Sequence, residues 1–143
     1  MAHDNARKTV LMIDDEEDAR KLVKLLLEHD GYRVLTSPSG AEGMILAKVE
    51  RPDVILLDII MPKMNGHEAL RRLKEDPDTS AIPVIMVTAK GAERDIAASF
   101  QLQAIFHVEK PFEVRDLLEK IRIAVVLAEQ HASPGGPAAS PQA

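Results

Sequence analysis

Five short apolar runs recur along this chain, and the segments between them carry apolar residues at helical spacing. No other feature constrains the fold as strongly. Strands joined through helices lie parallel in one sheet, and the helices must cover both of its faces. The middle run is the most informative. Val54 to Leu57 is continuously apolar, as a strand buried on both faces must be, and it ends in a carboxylate, Asp58. Met61-Pro62 then breaks the strand, and Met64-Asn65-Gly66 supplies turn residues ahead of the next helix. An acid at the carboxyl end of a buried parallel strand stands where open α/β sheets bind their ligands.

The other runs repeat this form. Lys8 to Ile13 ends in Asp14 and Asp15, whereas Arg33 to Thr36 ends without a comparable group. Pro83 to Val87 leads to Thr88 and Ala89, and Ala104 to Val108 leads to Glu109, Lys110 and Pro111. Helices are expected over residues 16–29, 40–50, 67–75, 93–102 and 112–129. The first opens on an acidic turn and closes at Asp30-Gly31, in keeping with the helix dipole and with glycine capping. Right-handed crossovers restrict the strand order without fixing it. Residues 1–7 are expected to be flexible and residues 8–129 to form one domain. The stretch 130–143, rich in Pro, Gly, Ala and Ser, is expected to be disordered.

Composition excludes several classes. A net charge of −5 with no basic stripe argues against direct nucleic-acid contact. The absence of cysteine rules out a disulfide framework and thiolate metal sites, and it fits the cytosol. No apolar run approaches the ~20 residues of a membrane span, and the polar N-terminus is not a signal peptide. The expectation is a soluble, cytoplasmic single domain without membrane insertion.

The carboxyl ends of parallel strands share one edge, so Asp14, Asp15, Asp58, Thr88 and Lys110 should converge there. Three crowded carboxylates stay ionised together only if a cation joins them. Oxygen donors of this kind suit Mg²⁺ or Mn²⁺. With a metal, a lysine and a hydroxyl beside it, Asp58 is placed to attack phosphorus and form an aspartyl phosphate. The metal and Lys110 would neutralise the transferring group, and Thr88 would donate a hydrogen bond to it. Taken singly, each residue has a plainer reading: a helix cap for Asp14 and Asp15, a turn residue for Asp58, a strand end for Thr88, a solvated lysine for Lys110. Their coincidence at one sheet edge favours the shared chemical role.

Four motifs stand in order at the strand ends: Ile13-Asp14-Asp15-Glu16, Leu57-Asp58 continuing to Asn65-Gly66, Val87-Thr88-Ala89, and Lys110-Pro111-Phe112. From about Lys8 to Glu129 the chain resembles the receiver domain of two-component response regulators. That resemblance implies a flavodoxin-like (βα)5 three-layer α/β sandwich with a parallel sheet in the order 2-1-3-4-5. It implies Asp58 as phosphoacceptor and a Mg²⁺ bound by Asp15, Asp58 and the backbone carbonyl of Ile60, with Asp14 acting largely through water. It also implies a cis Lys110-Pro111 bond.

On the same resemblance the protein is a stand-alone, chemotaxis-regulator-like module, monomeric or weakly dimeric. A histidine kinase or histidine phosphotransfer protein would phosphorylate it, and it would catalyse only its own phosphoryl transfer and hydrolysis. Its output would pass to a further, unidentified protein through the fourth helix, fifth strand and fifth helix. Two positions depart from the pattern: Gln103 stands in place of a glycine, and His107 in place of an aromatic switch residue. Ile60 and Lys90, two residues past Asp58 and Thr88, would flank the phosphoryl group. Ile60 cannot orient an attacking water, which implies slow loss of that group. Two alternatives stand beside this reading. One is a phosphorylation-independent interaction module, kept open by Gln103 and His107. The other is a metal-dependent phosphohydrolase, which would need a second acid where Ile60 stands.

Overall fold

The computed structural model describes residues 8–89 and 93–131. Expectations for residues 1–7, for Lys90 and for 132–143 lie outside the described residues. The elements in order are β1 (Thr9–Ile13), α1 (Glu17–His29), β2 (Arg33–Ser37), α2 (Gly40–Glu50), β3 (Val54–Asp58), α3 (Gly66–Glu75), β4 (Val84–Ala89), α4 (Glu93–Gln101), β5 (Phe106–Lys110) and α5 (Val114–His131). All strand pairs are parallel, and the order is β2-β1-β3-β4-β5.

The interior strands β1 and β3 are buried along their whole length, which is why their sequences are continuously apolar. Their alternate residues feed two cores. Val10, Met12, Val54 and Leu56 pack with Val23 and Leu27 of α1 and with Leu117 and Ile121 of α5. Leu11, Ile13, Ile55 and Leu57 pack on the other face with Ala47 of α2 and with Ala69, Leu70 and Leu73 of α3. Helix, sheet and helix make the three layers. None of the described helices is long and apolar enough to cross a membrane.

Helical spacing overstates what is hidden. Leu22 and Leu25 on α1, and Ile45 and Val49 on α2, stay exposed. The largest shift from expectation is in β5, which starts two residues later than the apolar run suggests. Gln103 adopts a left-handed conformation, φ 74°. The Gln103 and Ala104 amides donate to the carbonyls of Phe100 and Ser99 at 3.0 and 2.9 Å. That pattern closes α4 with a Schellman motif and consumes residues otherwise free to pair with β4. α5 likewise starts at Val114, where the Leu117 amide donates to the Glu113 carbonyl, and it runs two residues past the expected Glu129.

Candidate functional site

The register of the sheet assembles the site. Ile13 lies opposite Leu57, so Asp14 emerges beside Asp58 at the carboxyl edge. Asp58 itself lies opposite Val87, next to Thr88, and Lys110 ends β5 opposite Ala89. The turn after β3 is tight because α3 begins on a glycine. A Cβ at Gly66 would come within 2.2 Å of the Asp58 carbonyl oxygen and 2.7 Å of the Ile59 Cα. The Gly66 amide instead donates to the Ile59 carbonyl at 2.7 Å, and Asn65 caps α3 by accepting from the Glu68 amide. Between these anchors lies Ile60, its side chain 66% exposed.

One carboxylate oxygen from each of Asp14, Asp15 and Asp58 lies within 4.8 Å of the others. Asp14 is fully buried, Asp58 is nearly so, and Asp15 is exposed. Burial, reinforced by the charge of Asp14, pushes the Asp58 carboxyl up to about 7, against the opposing pull of Lys110. The site thus holds an acid whose ionisation is opposed until positive charge arrives. Its donor atoms are all oxygens, which suits a hard divalent cation.

Among the described residues, Lys110 is the cation that pairs with these acids. Its Nζ lies 2.8 Å from Asp14 Oδ2, 2.9 Å from Glu16 Oε1 and 3.6 Å from Asp58 Oδ2. Burial acts to lower its pKa, but the bonds to Asp14 and Glu16 outweigh this and hold it above the usual lysine range. Asp14 also fixes the entry to α1. Its Oδ1 accepts from the Glu16 amide at 2.9 Å, and its carbonyl accepts from Arg20 at 2.8 Å. Thr88 is buried at the end of β4, where its hydroxyl donates to the Ala89 carbonyl at 3.4 Å.

The residues named from sequence, Asp14, Asp15, Asp58, Thr88 and Lys110, therefore meet at one edge, with Ile60 in the adjoining turn. Lys110-Pro111 is cis. The left-handed turn at Gln103 is the one a glycine would favour. His107 is half-buried and not simply on the surface: its ring meets Phe100 of α4 edge-on, with centroids 4.9 Å apart, and its carbonyl accepts from Lys120. Two contacts escaped the sequence reading. Glu16 bonds Lys110, and the only sequence signal was a third acid at a helix start where glutamate is a poor cap. His67 of α3 bonds the buried Ser99 of α4 at 2.8 Å, and no spacing announces that pair.

Comparison with known proteins gives one consistent result. The response regulator receiver domain model matches residues 10–122. Protein PilH of Pseudomonas aeruginosa is 40% identical over 112 residues, which are 78% of this chain and 93% of PilH. The phosphate regulon transcriptional regulatory protein PhoB of the same organism is 36% identical over 115 residues, 80% of this chain. The chain spans about half the length of PhoB and of several other regulators that it matches. Among solved structures, the chemotaxis protein CheY4 of Vibrio cholerae is similar with a TM-score of 0.78 and 28% identity, covering 83% of this chain and 99% of that one. A CheY-like receiver domain protein of Methanospirillum hungatei has a TM-score of 0.81 and 30% identity, covering 87% and 98%.

Proposed function

This chain belongs to the response regulator receiver family of two-component systems, and from that premise we propose that it accepts a phosphoryl group onto Asp58 from a histidine kinase or a histidine phosphotransfer protein. One observation carries the reading: the buried Asp14 and Asp58 and the exposed Asp15 crowd together, and Lys110 lies 2.8 Å from Asp14 and 3.6 Å from Asp58. Such a cluster is held against its own repulsion where function needs it.

Asp15 and Asp58, with the backbone carbonyl of Ile60, would hold Mg²⁺ or Mn²⁺, and Asp14 would act through water. The metal supplies charge neutralisation for the oxygens of the donor phosphoryl group. A carboxylate oxygen of Asp58 attacks phosphorus. The bond from phosphorus to the donor's leaving group breaks, and its electron pair departs with that group. Lys110 offsets charge on the transferred group, and Thr88 turns its hydroxyl from the Ala89 carbonyl toward a phosphoryl oxygen.

The unit that does this spans residues 8–129 and works in the cytoplasm as a monomer or weak dimer. It catalyses only its own phosphoryl gain and loss. Output is a change in affinity for another protein. Movement at Thr88 shifts the balance of two conformations of α4, β5 and α5, with the Phe100–His107 contact as one link. Ile60 shields the phosphoryl group and cannot hydrogen-bond a water, so Ile60→Asn hastens its loss; an unchanged or slower decay would refute that role. The direct test is incubation with acetyl phosphate and Mg²⁺, followed by intact mass. One phosphoryl group should appear on the wild type and none on Asp58→Asn or without metal. The reading fails if the mutant is labelled equally.

A further inference from the structure

Lys110 does not rest on the acceptor. Its ammonium lies 2.8 Å from Asp14 and 2.9 Å from Glu16, but 3.6 Å from Asp58. Asp14 is buried and belongs to the acidic cluster, so its claim on the lysine is expected. Glu16 is different. It occupies the N-cap position of α1, yet its side chain makes no capping bond. Its own amide is already used, donating to Asp14 Oδ1. The carboxylate is 65% exposed, yet it meets Lys110, a lysine 94 residues away in sequence, at 2.9 Å. Capping the helix does not account for that conformation. Simple solvation of an exposed acid does not account for it either.

We propose that Glu16 is a positioning residue that occupies Lys110 until a phosphoryl group displaces it. The proposal rests on the receiver reading of Asp58. In the resting protein the Glu16 carboxylate takes the place that a phosphoryl oxygen takes later, as a weaker anion on the same ammonium. Phosphoryl transfer then includes an exchange of partners: the Lys110–Glu16 contact opens as Lys110 engages the new dianionic group. Glu16 thereby sets how readily the site accepts a phosphoryl group and biases the unphosphorylated chain toward its resting state.

The exchange is tested with the full chain at saturating Mg²⁺, using beryllofluoride affinity by fluorine NMR and the rate of labelling by acetyl phosphate. Glu16→Gln removes the charge. Glu16→Asp keeps it but shortens the arm, and aspartate at an N-cap turns toward the helix amides, so it too releases Lys110. Both variants should bind beryllofluoride about two- to fivefold tighter, the range expected from losing a partly exposed ion pair, and label correspondingly faster. Glu17→Gln removes one charge from the same turn without touching Lys110 and should match the wild type. In metal-free protein, the Lys110 ammonium resonance should move in both Glu16 variants and hold still in Glu17→Gln. Glu16→Asp behaving as wild type while Glu16→Gln accelerates would reduce the effect to overall charge and overturn the proposal. Equal effects of Glu17→Gln would do the same. A wild type that takes neither beryllofluoride nor phosphoryl would overturn the receiver reading itself, whatever the variants do.

Discussion

At the amino-terminal edge of the sheet, Lys8 pairs with Glu129, Lys48 with Asp76 and Asp78, and Arg51 with Asp78. Asp53 there accepts from the Thr9 amide at 2.8 Å. At the carboxyl edge, Asp14, Asp15, Glu16 and Asp58 gather around Lys110. The residue types are the same, but the first set is partly exposed and matched, while two acids of the second are buried and outnumber their lysine. Exposed matched pairs contribute at most about 1 kcal/mol each. Buried excess charge costs stability until a cation or a modified group balances it. One edge finishes the fold; the other is left electrostatically incomplete.

The strongest way to break this comparison is Asp58→Asn. It should abolish phosphoryl labelling and yet stabilise the metal-free domain by about 1–3 kcal/mol near pH 8. The sign follows from the raised pKa. A carboxyl held up to about 7 from 3.8 favours the protonated folded state, so its stabilising contribution is full below about pH 4 and is lost as pH rises through 7. Wild-type chemical denaturation should therefore show stability falling from about pH 4 to 7 and levelling off above that, and the mutant should flatten that slope. A mutant less stable than wild type near pH 8 would sink the account.

Next in size is Lys110→Met, which removes the cation that pairs with both Asp14 and Asp58. It should lower metal-free stability by about 2 kcal/mol, with part regained on adding Mg²⁺. An effect no larger than that of a surface pair would mean the carboxyl edge is not distinctive. Gln103→Gly probes strain of a different kind, in backbone on the way to β5. Glycine at φ 74° should raise the denaturation midpoint, worth about 1 kcal/mol, and leave phosphoryl labelling unchanged. The smallest effect belongs to the amino-terminal edge. Glu129→Gln should shift stability by less than about 0.5 kcal/mol, and salt should erase the difference.

Much of this protein was legible in the order of its residues. Val54 to Leu57, and the run before Asp14, could satisfy neither a surface strand nor a helix of one apolar face, so they specified interior parallel strands. Parallel topology then forced Asp14, Asp58, Thr88 and Lys110 to one edge whatever the loop details. Local chemistry also sufficed at Gly66 and Asn65, where a turn or cap is dictated by the residue or its neighbours. Tertiary structure alone decided the rest. It moved β5 two residues along, because the closure of α4 claimed Gln103 and Ala104. It left Leu25 and Val49 exposed, because a helix of this fold buries only the stripe that meets the sheet. It gave Lys110 to Asp14 and Glu16 ahead of Asp58, a choice of roughly one ångström among carboxylates from two strand ends. Periodicity and turn chemistry act over a few neighbouring residues and can be read along the chain. Which charge meets which depends on distances between strands joined only through the folded sheet, and electrostatic energy in a buried site changes steeply over such distances.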